Sequence, residues 1–387
     1  MAKGSSFTNS FIESTDPETG RTLVQLTGND CVSHHPYFYN RMIDQAGRHL
    51  IYAGNRSGLR QLYRLDLNTG ATLQLTDNPA GSFDDFSAVL SADDRQVYYA
   101  RDNGIVRLDL ASLEESTVYR SDAAFKFGSF GLSPDDRCIL ISEMDRKDVV
   151  TSKGDWSTFE PQWEAKPHCR LVYLDLATGR HHVVLDDPHC WLGHPQIRPG
   201  DNGQLLFCHE GPQWKIDARL WLVDADGTNL RCAKPRQAED QIVTHEFWLA
   251  DGSAIAYVHK TPDNVSTIRT IDPATLADRV LCNFTYSAQV FADPSGRWFV
   301  GVGQPESPVL PETGKDAVET MAHNKPYLFL IDTETGREEK LCRHGSSFKP
   351  YGNAQDCHPH PTFTPDSRAV LFSSDRNGQP AMYLVLV

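Results

Sequence analysis

The chain has 387 residues, with 37 Lys+Arg against 51 Asp+Glu, a formal net charge of −14, 40% hydrophobic and 23% charged residues. That is the composition of a folded globular chain, neither disordered nor collagen-like. It lacks the basic surplus that releases counterions from a phosphate backbone, so nucleic acid is not an expected partner.

The first twenty residues mix polar and small side chains and contain no apolar run of the roughly 7 to 15 residues that a signal peptide needs. This predicts a cytoplasmic protein. No apolar stretch reaches the roughly 18 residues of a membrane span, so no membrane segment is expected. The nine cysteines (Cys31, Cys138, Cys169, Cys190, Cys208, Cys232, Cys282, Cys342, Cys357) are scattered with no CxxC pair, which predicts free thiols rather than disulfides or a zinc cluster.

Along the chain the same unit recurs. A polar turn is followed by an apolar run: Asp44–Arg48 then Leu50-Ile-Tyr, Ala92–Arg95 then Val97-Tyr-Tyr, Pro134–Arg137 then Ile139-Leu-Ile. The series continues with Pro199–Gly203 then Leu205-Leu-Phe, Ala250–Ser253 then Ile255-Ala-Tyr, Pro294–Arg297 then Trp298-Phe-Val, and Pro365–Arg368 then Val370-Leu-Phe. Each run leads to a second segment, mostly ending in Asp and a turn: Tyr63–Gly70, Val106–Asp109, Val172–Gly179, Leu222–Gly227, Arg269–Asp272, Leu328–Gly336 and Met382–Val385. The runs are short, rich in Val, Leu, Tyr and Phe, and bounded by Gly, Pro, Asn and Asp, which is strand and hairpin chemistry. Seven such units, spaced like four-stranded blades with insertions, predict an all-β, seven-bladed β-propeller formed by one domain over residues 1–387. Residues 143–163 and 304–325 read as insertions. Arg21–Thr27 resembles the fourth-strand segment Thr72–Thr76, whereas the last blade ends at Val387 without one; the N-terminus is therefore expected to supply the outer strand that closes the ring.

Counting back from each turn gives the residues expected at the start of each innermost strand, around one mouth of the channel: His34 and His35, Asp85, Gly128, His194, His245, Gln289, and His358 with His360. Four of the seven blades thus place histidine at one level. His358 and His360 in Gln355-Asp-Cys-His-Pro-His lie two apart, a spacing that puts both imidazoles on one face of a strand. Imidazoles with a Gln carbonyl suit a divalent transition metal; the alternative is a packed histidine beside one bonded to a carbonyl. His245, in Thr244-His-Glu-Phe-Trp, is either a general base or a histidine satisfied within its strand. Glu246 is expected to point the other way. Arg219, in Asp217-Ala-Arg, either receives a carboxylate or stabilises an enolate, or pairs with Asp217 at the surface. Arg60 has the same two readings.

Six motifs in order resemble the oligogalacturonate lyases, polysaccharide lyase family 22: Trp191-Leu-Gly-His-Pro, Phe207-Cys-His-Glu-Gly-Pro, Asp217-Ala-Arg-Leu-Trp, Thr244-His-Glu-Phe-Trp, Asp251–Tyr257 and His358–Pro365. The resemblance runs from Met-Ala-Lys-Gly to Val387. It implies a cytoplasmic seven-bladed propeller that cleaves short pectin-derived oligogalacturonides by β-elimination to a 4,5-unsaturated uronate, with a divalent ion, Mn²⁺ in type. It further implies His245 as base, Arg219 as its assistant, and Gln355, His358 and His360 as metal ligands. The family's fourth ligand is a histidine in a Ser-His segment; here the chain reads Tyr286-Ser-Ala-Gln289, so that ligand is Gln289, water or nothing. His34, Arg60, His194 and His209 are then expected to line the substrate site. The competing expectations are a lyase or epimerase on a different uronate, or a non-catalytic sugar-binding propeller.

Overall fold

The computed structural model describes residues 2–84, 86–150, 155–237, 242–261, 265–284, 289–303, 326–352 and 355–387. Seven antiparallel sheets follow one another along the chain, and the fold is the expected seven-bladed β-propeller. The insertion expected at 304–325, Asp85 of the predicted channel mouth, and Tyr286-Ser-Ala beside Gln289 lie outside the described residues.

The recurring turns work because each contains a residue in the left-handed region: Gly47, Asp94, Asp136, Gly200, Gly252, Gly296 and Ser367. Gly has no Cβ to oppose that conformation, and Asp tolerates it better than most residues. The second signature closes by a different device. The Asp66 carboxylate accepts from the backbone N–H groups of Asn68 and Thr69, and Asp272 does the same for Ala274 and Thr275. Such Asp side chains satisfy turn donors that no strand partner reaches.

Contacts divide the chain into two compact units, Met1–Ala88 with Asp263–Ile268 and Leu281–Val387, and Val89–Pro262 with Arg269–Val280. In the first unit, Thr22–Gln25 pairs with Ala381–Leu386 in the register Leu23↔Val385, Val24↔Leu384, Gln25↔Tyr383, so the two chain ends share one blade as the sequence pattern requires. Two further strands were not foreseen: Ile12–Thr15 lies outside Thr22–Gln25, and Ser6–Thr8 pairs with Ala71–Gln74, making two sheets five-stranded. Leu26, Leu50, Tyr52, Tyr63, Leu371 and Met382 pack together at under 4% exposure each. Burying such a side chain contributes about 1.5–3 kcal/mol.

The second unit holds the sheets Glu115–Arg120/Gly104–Asp109/Gln96–Arg101/Val89–Leu90, Phe125–Leu132/Cys138–Asp145/Cys169–Asp175/His181–Asp187 and Leu192–Arg198/Asp201–His209/Leu220–Asp224/Arg231–Cys232. The sheet beginning Ile242–Trp248/Ile255–Lys260 follows. Within the expected insertion, the strand Cys138–Asp145 runs on through Glu143, which is buried against Tyr119 and Arg170; a short helix, Phe159–Glu164, comes after it. All nine cysteines are free, and no helix among the described residues is long and apolar enough to cross a membrane.

Candidate active site

Three inner-strand pairings of the second unit slip by a bulge at their start: between Phe127 and Phe130, between Gly193 and Gln196, and between Thr244 and Phe247. A bulge inserts an unpaired residue and re-aims its side chain. His194 and His245 occupy two of these bulges, with φ of 48° and 53°. A non-glycine residue there costs on the order of 1–3 kcal/mol and persists only where its surroundings impose it.

The surroundings of His194 are ionic. Its Nε2 lies 2.9 Å from Glu210 Oε1 and its Nδ1 lies 3.9 Å from Glu246 Oε1. Arg219 spans the same two carboxylates: Nε donates to Glu246 Oε2 at 2.9 Å, Nη2 to Glu246 Oε1 at 3.2 Å and Nη1 to Glu210 Oε2 at 3.2 Å. The pairing of Arg219 with Asp217 is therefore not found, and Glu246, expected to point elsewhere, holds the guanidinium in a bidentate grip. The Glu246 carbonyl also accepts from Gln196 Nε2 at 2.9 Å, which ties the two bulges together. Gly193 makes room for Glu210: a Cβ there would stand 2.7 Å from Glu210 Cγ.

Burial opposes charge on Glu210 and His194, and their partners reverse the effect. Glu210 is pushed above its ordinary range by burial but held far below it by Arg219 and His194. Burial lowers the His194 pKa, yet Glu210 and Glu246 bring it above its ordinary value. Cys208, fully buried 3.4 Å from Glu210 Oε1, has its thiol pKa raised far up by burial. Ligand atoms of His194, Cys208 and Glu210 lie within 4.8 Å of one another, but a protonated thiol beside a carboxylate already claimed by two cations makes an ion-pair cluster, not a metal centre.

His245 is half-buried, with Nδ1 3.2 Å from Thr244 Oγ1. His209 is not in this cluster: its ring stacks on Trp221 at 4.6 Å and burial lowers its pKa to about 4.

The first unit carries the second group. His360, at φ 42°, is buried among Tyr37, Phe38, Phe86 and His358, whose ring centroids lie 5.2–6.2 Å away. Gln289 Oε1 accepts from the His360 backbone N–H at 3.2 Å, and the Gln355 carbonyl accepts from the His358 N–H. The HxH pair, Gln355 and Gln289 are thus brought together. Burial lowers the His358 pKa to about 4, keeping the imidazole neutral. An imidazole pair with amide oxygens beside it is a donor set that fits a divalent transition ion. Asp356, wholly buried, was missed by sequence reasoning although it sits inside the same motif. Its Oδ2 accepts from Arg60 Nη2 at 2.8 Å, and its Oδ1 lies 3.9 Å from His34 Nε2. His34 stacks on Phe86 at 4.2 Å. Arg60 and His34 therefore flank the motif through Asp356.

The sequence model described as oligogalacturonate lyase matches residues 1–387. The chain belongs to this family. An oligogalacturonide lyase of Pectobacterium atrosepticum is 36% identical over all of this chain and 98% of its own length, and an oligogalacturonate lyase of Dickeya dadantii is 35% identical over the same shares. A solved oligogalacturonate lyase in complex with manganese superposes with a TM-score of 0.92 at 36% identity, covering 100% of this chain and 98% of that one. The oligogalacturonate lyase of Vibrio parahaemolyticus gives 0.90 at 34% identity, covering 100% and 99%. A dipeptidyl peptidase 4 of Porphyromonas gingivalis, 13% identical with a TM-score of 0.54, shares the fold alone.

Proposed function

We propose that this oligogalacturonate lyase family member cleaves short oligogalacturonides by metal-assisted β-elimination, leaving a 4,5-unsaturated uronate. The observation that carries the reading is the HxH pair, His358 and His360, with ring centroids 5.7 Å apart, gathered with the oxygens of Gln355 and Gln289. These four residues would hold the ion. A divalent cation of the manganese type supplies Lewis-acid stabilisation of the charge that develops on the uronate carboxylate.

The C5 proton is weakly acidic and needs a base within hydrogen-bond reach. His245 takes it. Nδ1 lies 3.2 Å from Thr244 Oγ1, and in the tautomer whose Nδ1–H donates to that hydroxyl, Nε2 carries the lone pair a base requires. Arg219 assists it: three of its N–H groups are committed to Glu210 and Glu246, so its position is fixed before substrate arrives. His34 and Arg60 bind substrate beside the ion ligands, and His209 supplies an imidazole face stacked on Trp221.

The test is ultraviolet absorbance of the conjugated product after digalacturonate is added to metal-stripped protein, with and without Mn²⁺, beside His245→Ala. Metal-dependent absorbance lost in the variant is expected. No absorbance with any divalent ion overturns the lyase reading and directs attention to an epimerase or another uronate.

A further inference from the structure

Four ionic groups meet around the two bulges, and they differ in one respect. Glu246 is wholly buried, Arg219 is 7% and Glu210 11% exposed at the side chain, but His194 is 25% exposed. The imidazole is the member of the cluster that reaches outward. The charges also balance in one protonation state. Arg219 offsets one of the two carboxylates, and only an imidazolium at His194 offsets the other; a neutral ring would leave a buried net negative charge, which is costly. Among the described residues, the groups that face it include Glu210 and Cys208 from the strand Asp201–His209 and its continuation, Glu246 from Ile242–Trp248, and Arg219 just before Leu220–Asp224.

We infer that His194 is the proton donor of the elimination, delivering its proton to the C4 oxygen as that bond breaks. The assignment rests on the lyase reading above. The step balances: His245 removes the C5 proton, the C5–H electrons form the C4–C5 double bond, the C4–O bond breaks, and the departing oxygen takes a proton from the His194 imidazolium. His194 is re-protonated from water and His245 returns its proton there. The two histidines stand in equivalent bulges of consecutive sheets and meet different neighbours. Glu210 and Glu246 hold His194 charged, whereas His245 has the uncharged hydroxyl of Thr244 at its Nδ1. Pairs of titratable groups whose surroundings drive them apart divide acid from base. Glu210 is a positioning residue: it keeps the proton on His194 without touching the sugar.

The discriminating experiment compares two leaving groups in His194→Gln and the intact enzyme with its metal. Digalacturonate loses an alkoxide that must be protonated, whereas a galacturonide carrying fluorine at C4 loses fluoride, which needs no proton. His194→Gln is expected to lower kcat on digalacturonate by roughly 10²–10⁴-fold and to stay within about threefold of the parent on the fluoride substrate. Turnover of fluoride also reports that the variant is folded. Glu210→Gln provides a second readout: the alkaline limb of the kcat profile should move to lower pH. Equal losses on both substrates, no loss on digalacturonate, or an unmoved alkaline limb each overturn the assignment alone. Parent enzyme that eliminates neither substrate overturns the lyase reading and the assignment together.

Discussion

The Arg219–Glu246 pair makes a quantitative demand on stability. Replacing Glu246 with Met keeps volume but removes two hydrogen bonds, at 2.9 and 3.2 Å, from a guanidinium that is 7% exposed. Two cations, Arg219 and His194, then share one carboxylate, and the cost of an uncompensated buried charge is about 3–5 kcal/mol. Arg219→Met alone leaves two carboxylates facing one imidazolium, at a similar cost. The double variant leaves His194 with Glu210, a neutral pair at 2.9 Å, and isosteric apolar replacement of a buried ion pair is close to neutral, so it should lie within about 1 kcal/mol of the parent. Urea denaturation followed by tryptophan fluorescence at neutral pH measures all four corners of the cycle. A coupling of about 3 kcal/mol or more is expected, and it should barely respond to salt because the charges are shielded from solvent. Additive single losses, with coupling below about 0.5 kcal/mol, would refute the buried-network argument.

Gln289→His should tighten Mn²⁺ binding roughly tenfold in titration calorimetry, because imidazole is a stronger transition-metal donor than an amide oxygen, and His360→Ala should weaken it by at least as much. Gly211→Ala places a Cβ 2.2 Å from Trp163 Cδ1 at a φ of 146°, so it should cost about 1–3 kcal/mol and shift Trp163 away, visible as altered tryptophan emission. Backbone N–H groups hold the carboxyls of Asp109, Asp175 and Asp272 below the ordinary range: those of Ser112, Thr178 and Thr275 respectively contribute most. A depressed folded pKa stabilises above the unfolded value, about 3.9, and is lost as pH falls through the folded one. The melting temperature should therefore drop on acidification below about pH 4, and the triple Asp→Asn variant should show a shallower drop.

The blades were legible because their turns are chemically specific. Asp136 and Gly252 take a left-handed residue, Asp66 and Asp272 cap theirs, and each signal is local to a few residues. The closing strand was legible for the same reason, since Thr22–Gln25 repeats the pattern of Thr72–Thr76. Ser6–Thr8 and Ile12–Thr15 were not: these strands are half-buried to exposed, with no apolar alternation to mark them, and their pairing is decided by partners far along the chain. In the site, the histidine positions followed from counting back from turns. The carboxylates did not. Glu246 appeared to face away from the cluster because strict alternation was assumed, and the bulge between Thr244 and Phe247 breaks that alternation. Asp356 was passed over beside more conspicuous histidines, yet it is the residue that links Arg60 and His34 to the motif.

His194, His245 and His360 share one feature that their sequence neighbours do not announce, a left-handed backbone. The seven recurring turns put Gly, Asp or Ser in that conformation, where it closes a hairpin cheaply. A histidine there closes nothing. Each of the three carries a strain on the order of 1–3 kcal/mol that glycine would relieve. What the strain accomplishes is re-aiming: at a bulge, one inserted residue turns a side chain out of the alternation that would bury it in the blade or send it to the opposite face. At the two bulges His194 meets Glu210 and Glu246 and His245 meets Thr244; His360, just ahead of the strand Thr362–Phe363, joins His358. Backbone strain at three imidazoles, each set against groups suited to a different protonation state or ligand role, is hard to account for as packing. It is the cost expected of the proposed roles, which need an acid, a base and a metal ligand held in fixed directions before substrate binds.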